Sequence, residues 1–245
     1  MRAPDSRTIL DIWERGLRQP LQRQVMALLA AVLPETSVEE IAAMPVGRRD
    51  GLLLDLRTHM FGPGLETVAA CPACNERLES AFQVDDIRAV GVGGTAGIQS
   101  VRTDGYRIRF RLPATADLLA IPDGADESGA RDVLLSRCLI DVHDSEGRPV
   151  EPDALPPAAV PAIAARMAKA DPQADVTLAL DCPACGTAFQ ATFDIASFLM
   201  AEISSWAQAI LRDVHSLARA YGWSEEAILS LSPTRRQIYL ELARQ

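Results

Sequence analysis

Lysine is almost missing from this chain: Lys169 is the only one among 24 basic side chains, and the rest are arginines. Basic charge as a whole is outweighed, because 33 acidic residues leave a formal net charge of −9. Phosphate backbones select basic faces, so nucleic acid is not the expected main partner. Histidine is scarce as well, and His59, His143 and His215 are too scattered to read as a metal triad or a catalytic pair. Gly-x-Ser-x-Gly, His-Glu-x-x-His, the phosphate-binding loop and the dinucleotide fingerprint are all lacking. The longest apolar run, Val25 to Leu33, falls far short of the roughly 20 residues a membrane-spanning helix needs. Residues 1–20 also lack the apolar segment of an export signal, so a reduced, cytoplasmic setting without membrane insertion is expected. These absences point to a non-enzyme.

What the chain does have is a pair of Cys-Pro-Ala-Cys knuckles, Cys71–Cys74 and Cys182–Cys185. Two thiolates separated by two residues can grip one metal ion from a tight turn. A second such pair completes the four-sulfur tetrahedral shell that zinc adopts in closed structural sites. Leu78 and Phe82 follow the first knuckle at the same offsets as Phe189 and Phe193 follow the second, and Gly186 supplies permissive backbone just after it. Each knuckle follows a β-like run, Leu65 to Ala70 and Val176 to Leu180. The pattern predicts two hairpins with thiols at their tips, the layout of a split zinc ribbon with Cys71, Cys74, Cys182 and Cys185 as ligands of a structural zinc ion. A redox pair usually occurs once and opens a helix, and two disulfides suit an oxidising compartment better than a reduced one. The separation is long, with 107 residues between Cys74 and Cys182. Closing such a loop costs roughly 4 kcal/mol, against about 10–16 kcal/mol from zinc in small fingers. An intervening segment that folds on its own lowers the cost further. Cys138, in an apolar stretch, reads as a small buried hydrophobe.

With 245 residues, 48% of them hydrophobic and 23% charged, the chain can bury a substantial core. Apolar spacing predicts helix over residues 7–33, broken near Gln19–Pro20, then a start at Thr36–Glu40 and a helix through Leu52 to Met60. Val90 to Ser100 is glycine-rich and reads as a connection. Tyr106, Ile108 and Phe110 alternate with Arg107, Arg109 and Arg111. This is a half-buried strand whose arginines either keep a solvated edge from aggregating or meet an acidic protein partner. Asp126 to Val142 and Ala158 to Ala170 read as helices. The C-terminus is helical, with a stripe of Leu199, Ile203, Trp206, Ile210, Val214, Leu217 and Tyr221. The expected fold class is α+β: a helical region over 1–64, a first hairpin over 65–87, a mixed α/β insert over 88–174, a second hairpin over 175–195 and a helical region over 196–245. Large residues and arginines dominate interface hot spots, which makes Trp223, Arg235, Arg236 and Tyr239 the candidate partner-binding residues.

Four stretches carry a resemblance. They are Ile9 to Gly16, the segment from Gly47-Arg48-Arg49-Asp50 to Phe61-Gly62, the paired knuckles, and Ala207 to Tyr239 with its Asp213-Val214-His215 and Ala220-Tyr221-Gly222-Trp223-Ser224-Glu225. In these the chain resembles the baseplate hub assembly chaperone family of contractile phage tails and phage-tail-like contractile injection systems. The resemblance implies a non-enzymatic structural or assembly protein that acts through contacts with baseplate, hub or tail proteins. It leaves open the oligomeric state and whether the protein stays in the finished particle. The competing reading is a zinc-ribbon adaptor in transcription or another nucleic-acid process, supported only by the arginine-rich strand. A thiol oxidoreductase is a third.

Overall fold

A computed structural model describes residues 4–89, 97–151 and 154–244. In chain order these form α1 (Ser6–Gly16), α2 (Leu21–Val32), α3 (Val38–Ala43), α4 (Val46–Phe61), β1 (Gly64–Ala70), β2 (Arg77–Gln83) and α5 (Val84–Ile87). Then come β3 (Gln99–Thr103), β4 (Tyr106–Phe110), α6 (Thr115–Leu118), α7 (Glu127–Cys138), β5 (Leu139–His143) and α8 (Ala159–Ala170). The chain finishes with β6 (Val176–Asp181), β7 (Ala188–Phe193), α9 (Ile195–Tyr221), α10 (Glu225–Leu229) and α11 (Pro233–Leu242). Most of the glycine-rich stretch, residues 90–96, lies outside the described residues.

The helix boundaries follow local chemistry. Pro20 cannot continue α1 and instead precedes α2. Ser37 caps α3 in a reciprocal box: its hydroxyl accepts from the Glu40 N–H at 3.1 Å, while the Glu40 carboxylate accepts from the Ser37 N–H at 2.8 Å. Ser224 and Ser232 cap α10 and α11 in the same sense, each accepting from a backbone N–H three residues on. Gly62, at φ 89°, ends α4 in a conformation that costs an L side chain energy.

The chain divides into two compact units: one takes in the residues up to Leu33 together with those from Ser197 onward, the other Pro34–Ala196. In the first unit, Leu10, Ala207 and Ile210 are buried with Trp13, Trp206 and Leu229 against them. Val214, Leu217, Ile228 and Leu240 form a second cluster where α10 and α11 fold back on α9. The predicted stripe on α9 is therefore core over most of its length, with only Tyr221 at its end exposed.

In the second unit a three-stranded antiparallel sheet of order β3-β4-β5 packs Ile108, Phe110 and Val142 against Ala159 and Ile163 of α8. Two sequence expectations change here. The helix expected from Asp126 to Val142 stops at Cys138, and Leu139–His143 is a strand paired with β4. Ile140 and Val142 favour a pleated surface, and pairing to an existing strand decides the matter. The arginine strand is also central in its sheet rather than an edge. Arg109 donates to Asp141 at 2.8 Å, and Arg111 holds the buried Asp117 with two bonds of 2.5 and 2.8 Å.

The segment that delivers β6 is tied to α4 through Asp171, whose Oδ2 accepts from the Gly47 N–H at 2.9 Å. The approach requires glycine, because a Cβ at residue 47 would sit 2.0 Å from Asp171 Oδ1 and 2.9 Å from the Ala174 backbone nitrogen. Gly47→Ala should therefore destabilise the protein by about 1–3 kcal/mol, the usual range for overpacking. Urea denaturation checks this; an unchanged midpoint would mean that the α4–Asp171 contact gives way freely.

Candidate metal centre

β1 and β2 pair in continuous register from Gly64↔Gln83 to Ala70↔Arg77, and β6 and β7 from Val176↔Phe193 to Asp181↔Ala188. Each hairpin turns through its Cys-Pro-Ala-Cys knuckle. The two knuckles share one hydrogen-bond pattern. The Cys71 N–H donates to Glu76 O at 2.8 Å and the Asn75 N–H to Cys71 O at 2.8 Å; the Cys182 N–H donates to Thr187 O at 3.0 Å and the Gly186 N–H to Cys182 O at 2.8 Å. The residue after each second cysteine is left-handed, Asn75 at φ 60° and Gly186 at φ 73°. Asparagine tolerates that region better than other side chains, so Asn75 does for the first knuckle what Gly186 does for the second. Its match to Gly186 in position was the signal available in the sequence.

The four sulfurs converge. All lie within 4.8 Å of one another, with Cys71 Sγ 3.7 Å from Cys185 Sγ and Cys74 Sγ 3.6 Å from Cys182 Sγ. A disulfide needs about 2.05 Å, so these are four separate thiols. A zinc–sulfur bond of about 2.3 Å in a tetrahedron spaces neighbouring sulfurs about 3.8 Å apart, and the closest pairs match that spacing. Cys71 and Cys182 are buried, whereas Cys74 and Cys185 face outward. Leu78 and Phe189 pack behind the sulfurs, and at the far ends of the hairpins Phe82 and Phe193 meet edge to face at 5.8 Å. The hairpins are thus joined by a thiol cluster at their tips and an aromatic contact at their bases.

Crowding four thiols makes them compete for protons. The Thr187 hydroxyl, 3.3 Å from Cys185 Sγ, and the Thr187 backbone hold the Cys185 thiol down to about 6. At Cys74 the lowering contact from the Glu76 backbone is outweighed by the neighbouring sulfurs, which push that thiol up to about 12. A divalent cation removes this competition by stabilising all four thiolates together. Among the described residues no other group of histidine, cysteine or acidic side chains is arranged to hold a metal ion.

The other singled-out residues are dispersed. Cys138 is fully buried, and burial pushes its thiol up to about 11, as suits a core residue. His59 sits on α4 with Nδ1 2.7 Å from Asp55 O, His143 on β5, and His215 on the exposed side of α9. Trp223 stacks on Tyr221 at a centroid distance of 4.7 Å and meets Tyr239 edge to face at 4.9 Å; both Trp223 and Tyr239 are half-buried against the α9–α11 core. Arg235 is exposed. Arg236 is not on the surface as the sequence suggested: its side chain is 9% exposed, and Nε lies 3.5 Å from Asp213 Oδ2. On a ten-residue helix packed along one side, successive positions point about 100° apart, which turns Arg236 inward and leaves Arg235 outside.

No helix among the described residues is long and apolar enough to cross a membrane. Neither the curated proteins nor the solved structures hold a match to the chain. One family model does match, that of the T4 bacteriophage base plate protein, over residues 18–200. The match takes in α2 to α8 and both hairpins with all four cysteines, about three quarters of the chain, and on that extent the chain belongs to the T4 bacteriophage base plate protein family.

Proposed function

We propose that the protein is a non-enzymatic assembly component of a contractile phage tail or phage-tail-like injection system, a baseplate hub assembly chaperone with a split zinc ribbon. The family match over residues 18–200 carries the reading. The arrangement of four thiols supports its zinc-binding part. Cys71, Cys74, Cys182 and Cys185 would hold the metal, and a bound zinc would supply a crosslink between two hairpins far apart in sequence. With four thiolates its shell is filled and leaves no position for water or substrate, so the zinc is structural and not catalytic. The protein works in the cytoplasm, where particles are built, and its partners are baseplate, hub or tail proteins.

The partner surface we assign is the outer side of the C-terminal helices, where exposed Arg235 and Ile238 flank the half-buried Trp223 and Tyr239. Arg236 supports this surface from within. Because Trp223 also packs on the core, Trp223→Ala would confuse binding with folding. Arg235→Glu and Ile238→Asp are the cleaner variants, since both side chains face solvent. Each should leave the melting temperature and zinc content near wild type while sharply reducing assembled particles, counted by electron microscopy of lysates from the producing strain. Normal particle numbers with both variants would place the contact elsewhere. Normal particles after deletion of the gene would end the assembly reading.

A further inference from the structure

The outer face of the three-stranded sheet carries a charge pattern that neither the thiol cluster nor the C-terminal surface uses. In register, Arg102 of β3 stands opposite Arg107 of β4, which in turn stands opposite His143 of β5. Directly opposed residues on antiparallel strands share a face, with Cβ atoms about 5 Å apart. The next row on this face, Ser100–Arg109–Asp141, is balanced internally, because Arg109 Nη1 donates to Asp141 Oδ2 at 2.8 Å. The Arg102–Arg107–His143 row contains no acid. Both arginines are exposed, and among the described residues neither has an ion pair or a side-chain hydrogen bond. His143 Nδ1 is buried without a hydrogen-bond partner, 3.4 Å from Asp141 Oδ1. Alternation explains why this row points outward, since Val101, Ile108 and Val142 take the inner face. It does not explain two permanent cations set directly against each other, an arrangement that weakens a ladder unless an anion compensates it.

The same row lines a surface hollow of about 510 Å3, with the Asp104–Gly105 turn and the turn from Asp144 to Gly147 along its sides. These turns come close together: a Cβ on Gly105 would lie 3.9 Å from Ser145 Cβ. The acids of the rim are engaged locally. Asp144 accepts from Arg148 Nε at 2.7 Å and from the N–H groups of Glu146 and Arg148 at 2.9 Å each, Glu146 pairs with Arg148 Nη1 at 2.9 Å, and Asp104 accepts from the Thr103 hydroxyl at 3.1 Å. Among the described residues lining the hollow, the two arginines are the permanent cations left without an acidic partner.

We propose that this hollow docks an acidic, extended segment of a protein partner, with the Arg102 and Arg107 guanidiniums gripping its side-chain carboxylates. Guanidinium forks match carboxylates in bidentate geometry, and such charge-assisted pairs are the stronger class of hydrogen bond. A nucleic-acid strand fits less well: its affinity grows with the number of phosphates neutralised, and two free cations neutralise few. The proposal rests on the reading of the protein as one that works through protein contacts, and it names the chemistry of one such contact.

The test uses the purified full chain and fluorescence anisotropy with three labelled probes: a peptide of alternating glutamate and serine, the same peptide with glutamine for glutamate, and a single-stranded oligothymidylate of equal length. The glutamate peptide should bind, more weakly as salt rises, and the glutamine peptide should not. Arg102→Gln and Arg107→Gln should each weaken binding by about tenfold or more. Neither should lower the melting temperature, and Arg102→Gln should raise it slightly by relieving the opposed charges. Absent glutamate-peptide binding, binding that survives both substitutions, equal or tighter oligothymidylate binding, or a melting temperature that falls with either substitution would each overturn the proposal. Zinc content and particle counts are measured separately, so its failure would leave the assembly reading standing.

Discussion

Cys182→Ser should lower the melting temperature of the protein by more than about 10 °C and abolish its stoichiometric zinc. Elemental analysis of the wild type should give about one zinc per chain. Cys182 is 2% exposed and its sulfur is 3.6 Å from Cys74 Sγ, so the substitution removes a buried corner of the thiol cluster. Structural zinc contributes on the order of 10 kcal/mol to small folds, and a zinc held here would join two hairpins whose tips pack together through Leu78 and Phe189. A loss of even about 4 kcal/mol corresponds to roughly 8–16 °C in a chain of this size. A strong chelator should reproduce the effect in the wild type and have little further effect on the variant. Cys138→Ser serves as the control: it places a hydroxyl in the core at a cost of about 1–3 kcal/mol and should leave the zinc content unchanged. A wild type that is fully folded and free of metal would contradict the zinc reading.

Asp117→Ala should cost about 3 kcal/mol and remove part of the acid sensitivity of the fold. The Asp117 side chain is 1% exposed and holds together three segments. It accepts from Arg111 at 2.5 and 2.8 Å, from Arg137 Nε at 2.8 Å, and from the Ala114 N–H at 2.9 Å at the start of α6. Breaking a buried pair by removing one partner costs about 3–5 kcal/mol. The two arginines are 41% and 43% exposed, so water recovers part of that cost and the lower end applies. Burial alone would raise the carboxyl, but the bonds from Arg111, Ala114 and Arg137 outweigh it and hold Asp117 at about 2, below its ordinary 3.8. A depressed acid stabilises the fold fully above about pH 4 and progressively less as pH falls toward 2. The difference corresponds to about 2 kcal/mol. Stability measured by urea denaturation between pH 5 and 2.5 should therefore fall more steeply for wild type than for Asp117→Ala. Parallel curves would show that Asp117 is not held in its charged form.

Much of this fold is legible in local chemistry. The paired knuckles at equal offsets from β-like runs specify two hairpins, because a Cys-x-x-Cys turn between alternating strands has few other conformations. The Pro20 break, the Ser37 and Ser224 caps and the stripe on α9 follow from backbone sterics and from hydrogen bonds within one turn of helix. Other features rest on partners distant in sequence. Leu139–His143 continues a helical apolar pattern and becomes a strand only because β4 offers a ladder. Arg111 looked like one of a solvated row until α6 and α7 brought Asp117 and Arg137 to it. Arg236 turned inward when α11 folded back onto Asp213, and the Gly47–Asp171 contact joins residues 124 positions apart. Neighbours within a few residues were enough to mark the side chains able to ligate a metal, the capped helices and the two hairpins. That the four thiols meet, and that Arg102 and Arg107 stay free, came from packing between distant segments, because charge pairing and sulfur convergence depend on distances that local propensity does not set.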